Sequence, residues 1–399
     1  MMRTTIHGDI LTVFPEENIT SSNAEQLGKA FMEILGQNPE KKIEIDMGEV
    51  EYISSAGLRI LLACSKKLAY PLTIRNVLPQ VHDILDITGF TSILDVHRKM
   101  REISVDGCEV IGRGAQGTVY KLDEETIVKV FHSPDSLSLI QVEQEKSKQA
   151  LISGIPTAIS YDIVKVGENY GSVFELLRAR NLNDVFLESP DQELELLRKY
   201  VDLIRRIHAV EAKKGSLPDS RTVFLQYADD LQGVLPEDVS TRIKELLQSM
   251  PEDLHFVHGD LQMKNVMLNG DDLILIDMET LSVGNPVFDL QGPFVTYAAY
   301  TEDEPDNLVS FLGLTQEKGR LIWEKILEYY FCDRDENARR EAENRIRILG
   351  YLRFLDRVVT HGMTREDLKE TRIRHSVEHL RELLPLVDSL GIRPPVSGM

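Results

Sequence analysis

Apolar and polar positions change places in short blocks over the first 97 residues. Asp9–Phe14 reads as a short strand, and Ile43, Ile45 and Met47 alternate with polar neighbours as a half-buried strand does. Between them, Ala24, Leu27, Phe31 and Ile34 fall on one face at helical spacing. Ser22-Asn23-Ala24-Glu25 has the form of a capping box in front of that helix. A second helix is expected from near Gly57, burying Leu58, Leu61 and Leu62. Leu72–Ile74 is expected as a strand, and Pro79–Ile87 as a third helix with its proline in the first turn. Strands and helices in this alternation predict a small α/β layer structure.

Residues 98–106 are charged and aperiodic, which places a short linker there. Beyond it the pattern changes. Strands are expected at Cys108–Ile111, Val119–Leu122 and Ile127–Phe131, a helix over about Ser138–Ser153, and strands at Ile163–Val166 and Ser172–Leu177. Leu194, Leu197, Val201, Ile204 and His208 then mark one helical face, and Leu308–Leu390 is almost wholly helical in pattern. A strand-rich part followed by a helix-rich part predicts an α+β body of two lobes, about 107–178 and 179–399. The expected organisation is therefore residues 1–97, a linker at 98–106, and a second domain over 107–399.

Composition narrows the partners. The chain has 45 basic and 65 acidic residues, a formal net charge of −20, and the first hundred residues account for only −3 of it. An acidic body disfavours nucleic acid and anionic membrane, which need a basic footprint, and leaves cationic small molecules or proteins. The three cysteines, Cys64, Cys108 and Cys332, lack metal spacing and are odd in number. They point to a reducing compartment, and with no run long and apolar enough for a membrane span the expected location is cytoplasmic.

Candidate chemistry begins at Gly112-Arg113-Gly114-Ala115-Gln116-Gly117-Thr118-Val119. This G-x-G-x-x-G-x-V spacing runs into a strand, not a helix, and so fits a loop laid over nucleotide phosphates rather than a dinucleotide fold. A plain glycine-rich hairpin has the same local pattern. Lys129 sits in the apolar strand Ile127–Phe131, where a buried ammonium needs an acidic partner. Glu143 is preferred over Glu145 for that partner. The strongest constellation is His258-Gly259-Asp260 with Asn265, followed by a hairpin through Asn269-Gly270 to Asp277. With Leu268 opposite Leu273, Asn265 falls opposite Ile276, so an amide oxygen and the Asp277 carboxylate reach one end of the hairpin. That pair suits Mg²⁺, and Asp260 is placed to orient an acceptor hydroxyl or take its proton. His258 is assigned a structural role.

At these residues the chain resembles the aminoglycoside phosphotransferase and choline kinase family, relatives of protein kinases, over about 107–390. Val257-His258-Gly259-Asp260-Leu261 through Asn265 looks like that family's catalytic loop, and Ile276-Asp277-Met278-Glu279 stands where protein kinases carry Asp-Phe-Gly. The resemblance implies a bilobal kinase-like fold using ATP and Mg²⁺, with Asp260 as base, Asn265 and Asp277 on the metal, and Lys129 on phosphate. It also implies a supporting aspartate at Asp289 in Asn285–Leu290, and an adenine hinge at Phe174-Glu175-Leu176-Leu177, where Glu175 and Leu177 would bind. The implied acceptor is a hydroxyl of a small molecule in the C-lobe cleft. ATP and GTP are not distinguished. No Ala-Pro-Glu segment of a protein kinase follows Asp277.

Val50–Arg59 and Ile87-Thr88-Gly89-Phe90 resemble a STAS domain, the fold of anti-sigma-factor antagonists, over about residues 3–97. The resemblance implies a protein partner at this domain and a phosphoacceptor just before Gly57-Leu58. Ser55 is the nearest match and Ser54 the second. A phosphate at a helix start is physically favoured, whereas a serine there also serves simply as a cap. Three functions follow: a small-molecule kinase with a STAS regulatory module, a protein kinase or autokinase acting on Ser55, and a nucleotide-sensing regulator without catalysis.

Overall fold

The computed structural model describes residues 2–114 and 116–393. Two compact units divide the chain, Met1–Ser104 with Val164–Gly167, and Val105–Ile163 with Glu168–Met399.

The first unit is a five-stranded sheet in the order β1-β2-β3-β4-β5, from β1 (Met2–His7), β2 (Ile10–Pro15), β3 (Lys42–Asp46), β4 (Thr73–Val77) and β5 (Asp95–Arg98). The β1–β2 pair is antiparallel and the others parallel. Helices α1 (Ala24–Gln37), α2 (Ser55–Ser65) and α3 (Pro79–Ile87) make the crossovers that parallel pairing demands. Val13, Phe31, Ile45, Met47, Leu61 and Ile74 are fully buried between sheet and helices. The sequence pattern overlooks β1, because this edge strand buries none of its residues fully and so lacks alternation. Arg101–Glu102 adds a two-residue strand parallel to Val164–Lys165.

Two expectations change here. The Ser22–Glu25 capping box does not form. Asn23 is itself the cap residue, in a helical conformation, and its Oδ1 turns back to accept from Thr20 N–H at 2.9 Å. Glu25 pairs forward with Lys29 instead. Helix α2 starts at Ser55 rather than near Gly57, because extended Ser54 accepts from Gly57 N–H at 3.3 Å and draws Ser55 and Ala56 into the first turn.

In the second unit, β6 (Glu109–Arg113), β7 (Gly117–Lys121), β8 (Thr126–Phe131) and β9 (Asn169–Glu175) pair antiparallel in the order β6-β7-β8-β9. Helix α4 (Leu137–Ile152) follows β8. The remainder is mainly helical. Its α5 (Glu193–Ile207) buries Leu197, Val201 and Ile204 and ends at buried His208. Leu194 departs from the expected stripe: it lies in the first turn on the outer face and is exposed, while Leu196 and Tyr200 are buried in its stead. The long helix α6 (Glu336–Val359) is buried almost all round from Ile346 to Val358, so it runs through the core rather than along its surface. The hairpin Val266–Asn269 with Asp272–Leu275 has the expected register, Leu268 opposite Leu273.

A Cβ at Gly57 would lie 2.6 Å from Ile19 Cγ2 and 2.7 Å from Ile53 Cγ1. Gly57→Ala is therefore expected to overpack the first unit and destabilise α2 by ~1–3 kcal/mol, read as faster amide hydrogen exchange in α2 with exchange in α6 unchanged.

Candidate active site

The loop between β6 and β7 is closed by Gly114 N–H bonding Gly117 C=O at 2.9 Å. None of Gly112, Gly114 and Gly117 has a positive φ, so their value lies in the absent side chain. Gly117 is sterically obligatory, since a Cβ would sit 2.7 Å from Val130 O on the neighbouring strand. Cβ atoms on Gly112 or Gly114 would meet only ordinary contacts, so at those positions the fold alone does not require glycine. Ala115 lies outside the described residues. Gln116 fixes the loop from its far side: its C=O accepts from His132 N–H and its Nε2 donates to Glu279 Oε1 at 3.0 Å.

Lys129 on β8 points at α4, with Nζ 3.5 Å from both carboxylate oxygens of Glu143 and 4.9 Å from the Phe131 ring centroid. Glu145 lies on another face and turns to Lys148 and Gln149. Burial pushes the Glu143 carboxyl upward, the Lys129 charge opposes this, and the charges of Asp277 and Glu279 push it up further. Lys129, Glu143, Asp277 and Glu279 therefore occupy one neighbourhood. Lys146, one turn along α4 from Glu143, donates to the Glu279 carbonyl.

The segment 258–265 hangs from one buried carboxylate. Asp289, wholly inaccessible, accepts from His258 N–H at 2.8 Å and Gly259 N–H at 2.9 Å, and its Oδ2 lies 2.9 Å from His208 Nε2. An ionised carboxylate only accepts, so His208 Nε2 carries the proton, and Tyr330 OH lies 2.7 Å from the other ring nitrogen. Burial alone would raise the Asp289 pKa; the hydrogen bond from His208, with that from the His258 backbone N–H, outweighs it and holds the carboxyl below its ordinary range. Gly259 takes φ +84° against Thr280, and Thr280 Oγ1 donates to His258 C=O at 2.6 Å. His258 is buried, its Nδ1 accepting from Asp260 N–H.

This places Asp260 with its two oxygens differently engaged. Oδ2 accepts from Gln262 at 2.9 Å and Asn265 Nδ2 at 3.0 Å, while Oδ1 faces Arg353 at 3.1 Å and Arg357 at 3.5 Å. Burial pushes this carboxyl up, but the two guanidinium groups together hold it below its usual range. Asn265 Nδ2 also donates to the Asp260 carbonyl, so its amide nitrogen is fully committed and its oxygen remains for another partner. The Asn265 carbonyl accepts from Ile276 N–H at 2.9 Å, which sets Asp277 beside Asn265. Asp277 is exposed, adopts φ +65°, and no group among the described residues bonds its carboxylate. No cluster of three or more His, Cys, Asp or Glu suited to a metal occurs among the described residues. Two oxygen donors, an amide and a free carboxylate, fit a divalent ion that takes its other ligands from phosphate and water.

At the end of β9, Leu176 N–H bonds Glu125 C=O at 2.7 Å, whereas Leu177 N–H makes no backbone bond among the described residues. Glu175 is exposed and its carboxylate meets Tyr161 OH at 3.4 Å. In the first unit, Ser54 is buried and spent as the α2 cap, and Ser55 is exposed.

The sequence pattern does not single out Arg353, Arg357 or the Gln116–Glu279 contact, and it reads His208 only as part of a helical face. A signal for the arginines is nonetheless present: two arginines four apart inside an otherwise apolar helical run must face anions, because an unpaired buried charge is prohibitive.

A two-lobed kinase-like body that follows a small α/β unit in the chain is the class these features define. A family model described as the phosphotransferase enzyme family matches residues 107–321, more than half of the chain, and the chain belongs to that family. A STAS domain model matches residues 1–103. The relative named "Putative anti-sigma factor antagonist BtrV", from Bordetella bronchiseptica, is 37% identical over 81 residues, 20% of this chain and 69% of that protein. Similar solved structures include ADP-bound aminoglycoside phosphotransferase APH(2'')-Ib, at 15% identity and TM-score 0.47 over 69% of this chain and 93% of that one. A choline/ethanolamine kinase family protein from Mesorhizobium loti is similar at 15% identity and TM-score 0.44, over 69% and 87%.

Asp289→Ala would leave His208 and two loop N–H groups buried without their acceptor, with an expected loss of about 3–5 kcal/mol at pH 7. Because the folded-state pKa lies below the unfolded one, this contribution is present above about pH 4 and lost as pH falls through the folded value. Urea unfolding of both proteins should accordingly give a gap that narrows in acid.

Proposed function

We propose that the chain is an ATP- and Mg²⁺-dependent phosphotransferase that moves the γ-phosphoryl group to a hydroxyl of a small-molecule acceptor in the C-lobe cleft, with the STAS domain binding a protein partner as its regulatory module. The observation that carries this reading is the pair of hydrogen bonds the Asn265 amide nitrogen donates to Asp260, which leaves the amide oxygen beside an Asp277 carboxylate that no group among the described residues bonds. In this reading the catalytic body is residues 107–399, and three free cysteines suit a cytoplasmic setting.

The roles follow from the positions. The loop of Gly112, Gly114 and Gly117 covers the phosphates, and Lys129, held by Glu143, binds the α/β-phosphates. The hinge takes adenine through the Glu175 carbonyl and the Leu177 N–H. Asn265 Oδ1 and Asp277 would hold Mg²⁺, which when bound neutralises charge on the β- and γ-phosphates. Asp260 accepts a hydrogen bond from the acceptor hydroxyl and aims its oxygen at phosphorus. A new O–P bond forms, the bond to the β-phosphate oxygen breaks, and the hydroxyl proton passes to Asp260. Since two arginines depress its pKa, Asp260 is a weak base, so proton transfer comes late, when the attacking oxygen has become acidic. That order suits a loose phosphoryl-transfer transition state.

A second reading, phosphorylation of Ser55, is favoured by one observation: Ser54 does the capping, so the exposed Ser55 hydroxyl is free to be modified without loss of the helix end.

Asp260→Ala is expected to lower turnover by roughly 10²–10⁴-fold while nucleotide affinity changes little, measured as ADP release and as calorimetric ADP–Mg²⁺ binding. Turnover equal to wild type would sink the assignment. Incubation with labelled ATP and no added acceptor separates the readings: label at Ser55 supports the second, and nucleotide binding without transfer to any acceptor supports a non-catalytic sensor.

A further inference from the structure

Next to Asp260 lies a cavity of ≈ 370 Å³ within the helical part of the second unit, where an acceptor would sit in the proposed reaction. Its two lining carboxylates are already occupied. Asp260 holds Arg353 and Arg357. Glu304 accepts from Arg372 at 2.7 Å and Asn307 at 3.0 Å, and has Arg365 at 3.6 Å. An ammonium-bearing acceptor entering here would find both carboxylates already neutralised by guanidinium groups. The acidity of the chain as a whole, which leaves room for cationic ligands, does not extend to this cavity.

The lining cations are less fully used. Arg357 is part-exposed; among the described residues it pairs with Asp260 at 3.5 Å, longer than a hydrogen bond of normal strength, and it lies beside the Tyr300 hydroxyl. Arg372 is 1% exposed, and among the described residues its Nε has no partner although both terminal nitrogens do. Gln262, also on the wall, donates to Asp260 and, among the described residues, leaves its buried Oε1 without a donor, an acceptor suited to a ligand hydroxyl and not to the anionic group itself. Buried polar atoms are rarely left unsatisfied in a finished site. The wall thus offers an anion a guanidinium fork on the same side as the group that receives the hydroxyl, and offers an ammonium no open carboxylate.

We infer that the acceptor is a small hydroxylated anion, a carboxylate or phosphate monoester, whose charged group is held by Arg357 while its hydroxyl meets Asp260. This rests on the phosphotransferase reading for the placement of the hydroxyl, and on the cavity alone for the charge. It reverses the cationic acceptor that bulk composition favours.

The test is calorimetric titration of the full chain, with AMP-PNP and Mg²⁺ present, using glycerate, glycerol 3-phosphate, neutral glycerol and choline at constant ionic strength. At least one anion should bind saturably, glycerol and choline should not, and Arg357→Gln should weaken the anion by roughly 10- to 100-fold, the worth of one charge-assisted hydrogen bond. Tighter glycerate identifies a carboxylate acceptor, and tighter glycerol 3-phosphate a phosphate. Arg357→Lys, which keeps the charge but not the fork, should fall between. Preferential choline binding, no saturable anion binding, equal affinity in Arg357→Gln, or expulsion of the anion by AMP-PNP would each overturn the inference. AMP-PNP binding is measured separately on wild type and variant: its absence in wild type sinks the phosphotransferase reading and leaves the anion result standing, and its retention in the variant shows that the variant is folded.

Discussion

The geometry of the candidate site depends on Asp289. A carboxylate with no solvent access is tolerable only when every lone pair in use meets a donor, and here two successive peptide N–H groups and an imidazole supply them. The peptide groups belong to His258 and Gly259, so the bonds that neutralise Asp289 also fix the direction in which the chain enters Asp260. His208 ends one helix and Tyr330 ends another, so the same network ties two helices of the core to the loop. Hydrogen bonds of 2.7–2.9 Å thus connect both helix ends to the loop backbone.

The parts legible in the sequence are those in which chemistry and local geometry coincide. The hairpin of 266–275 is set by Asn269-Gly270 and the alternation of its flanks, so its register and the meeting of Asn265 with residue 276 could be worked out from spacing. The Lys129–Glu143 pair was accessible as a choice between two acids because helix periodicity allows only one of them to face inward. Contacts separated by long stretches of chain were not. Arg353 reaches Asp260 across 93 residues and Gln116 reaches Glu279 across 163. No local periodicity encodes such a distance. Helix capping failed at Ser22–Glu25 for a smaller reason, since Asn23 and Thr20 offered each other a competing local bond.

Charge shows how far bulk properties mislead at a site. A net of −20 describes the surface average, whereas the pocket beside Asp260 is lined by three arginines, Arg357, Arg365 and Arg372. Local pairing, and not composition, decides which ligands that pocket admits. In the first unit the division of labour between neighbouring serines is similarly local: one hydroxyl is buried and structural, the next exposed.

Asp277 occupies a backbone conformation that favours glycine, and it is not glycine. A left-handed φ of +65° costs an aspartate roughly 1 kcal/mol or more relative to a residue without a Cβ. The chain bears this at a position where no group among the described residues bonds the carboxylate, so no such bond offsets the tension. Such a residue marks a place where persistence of the native state has been traded for readiness toward something outside the polypeptide, and sequence changes that relax it would be expected to yield a sturdier but less capable molecule.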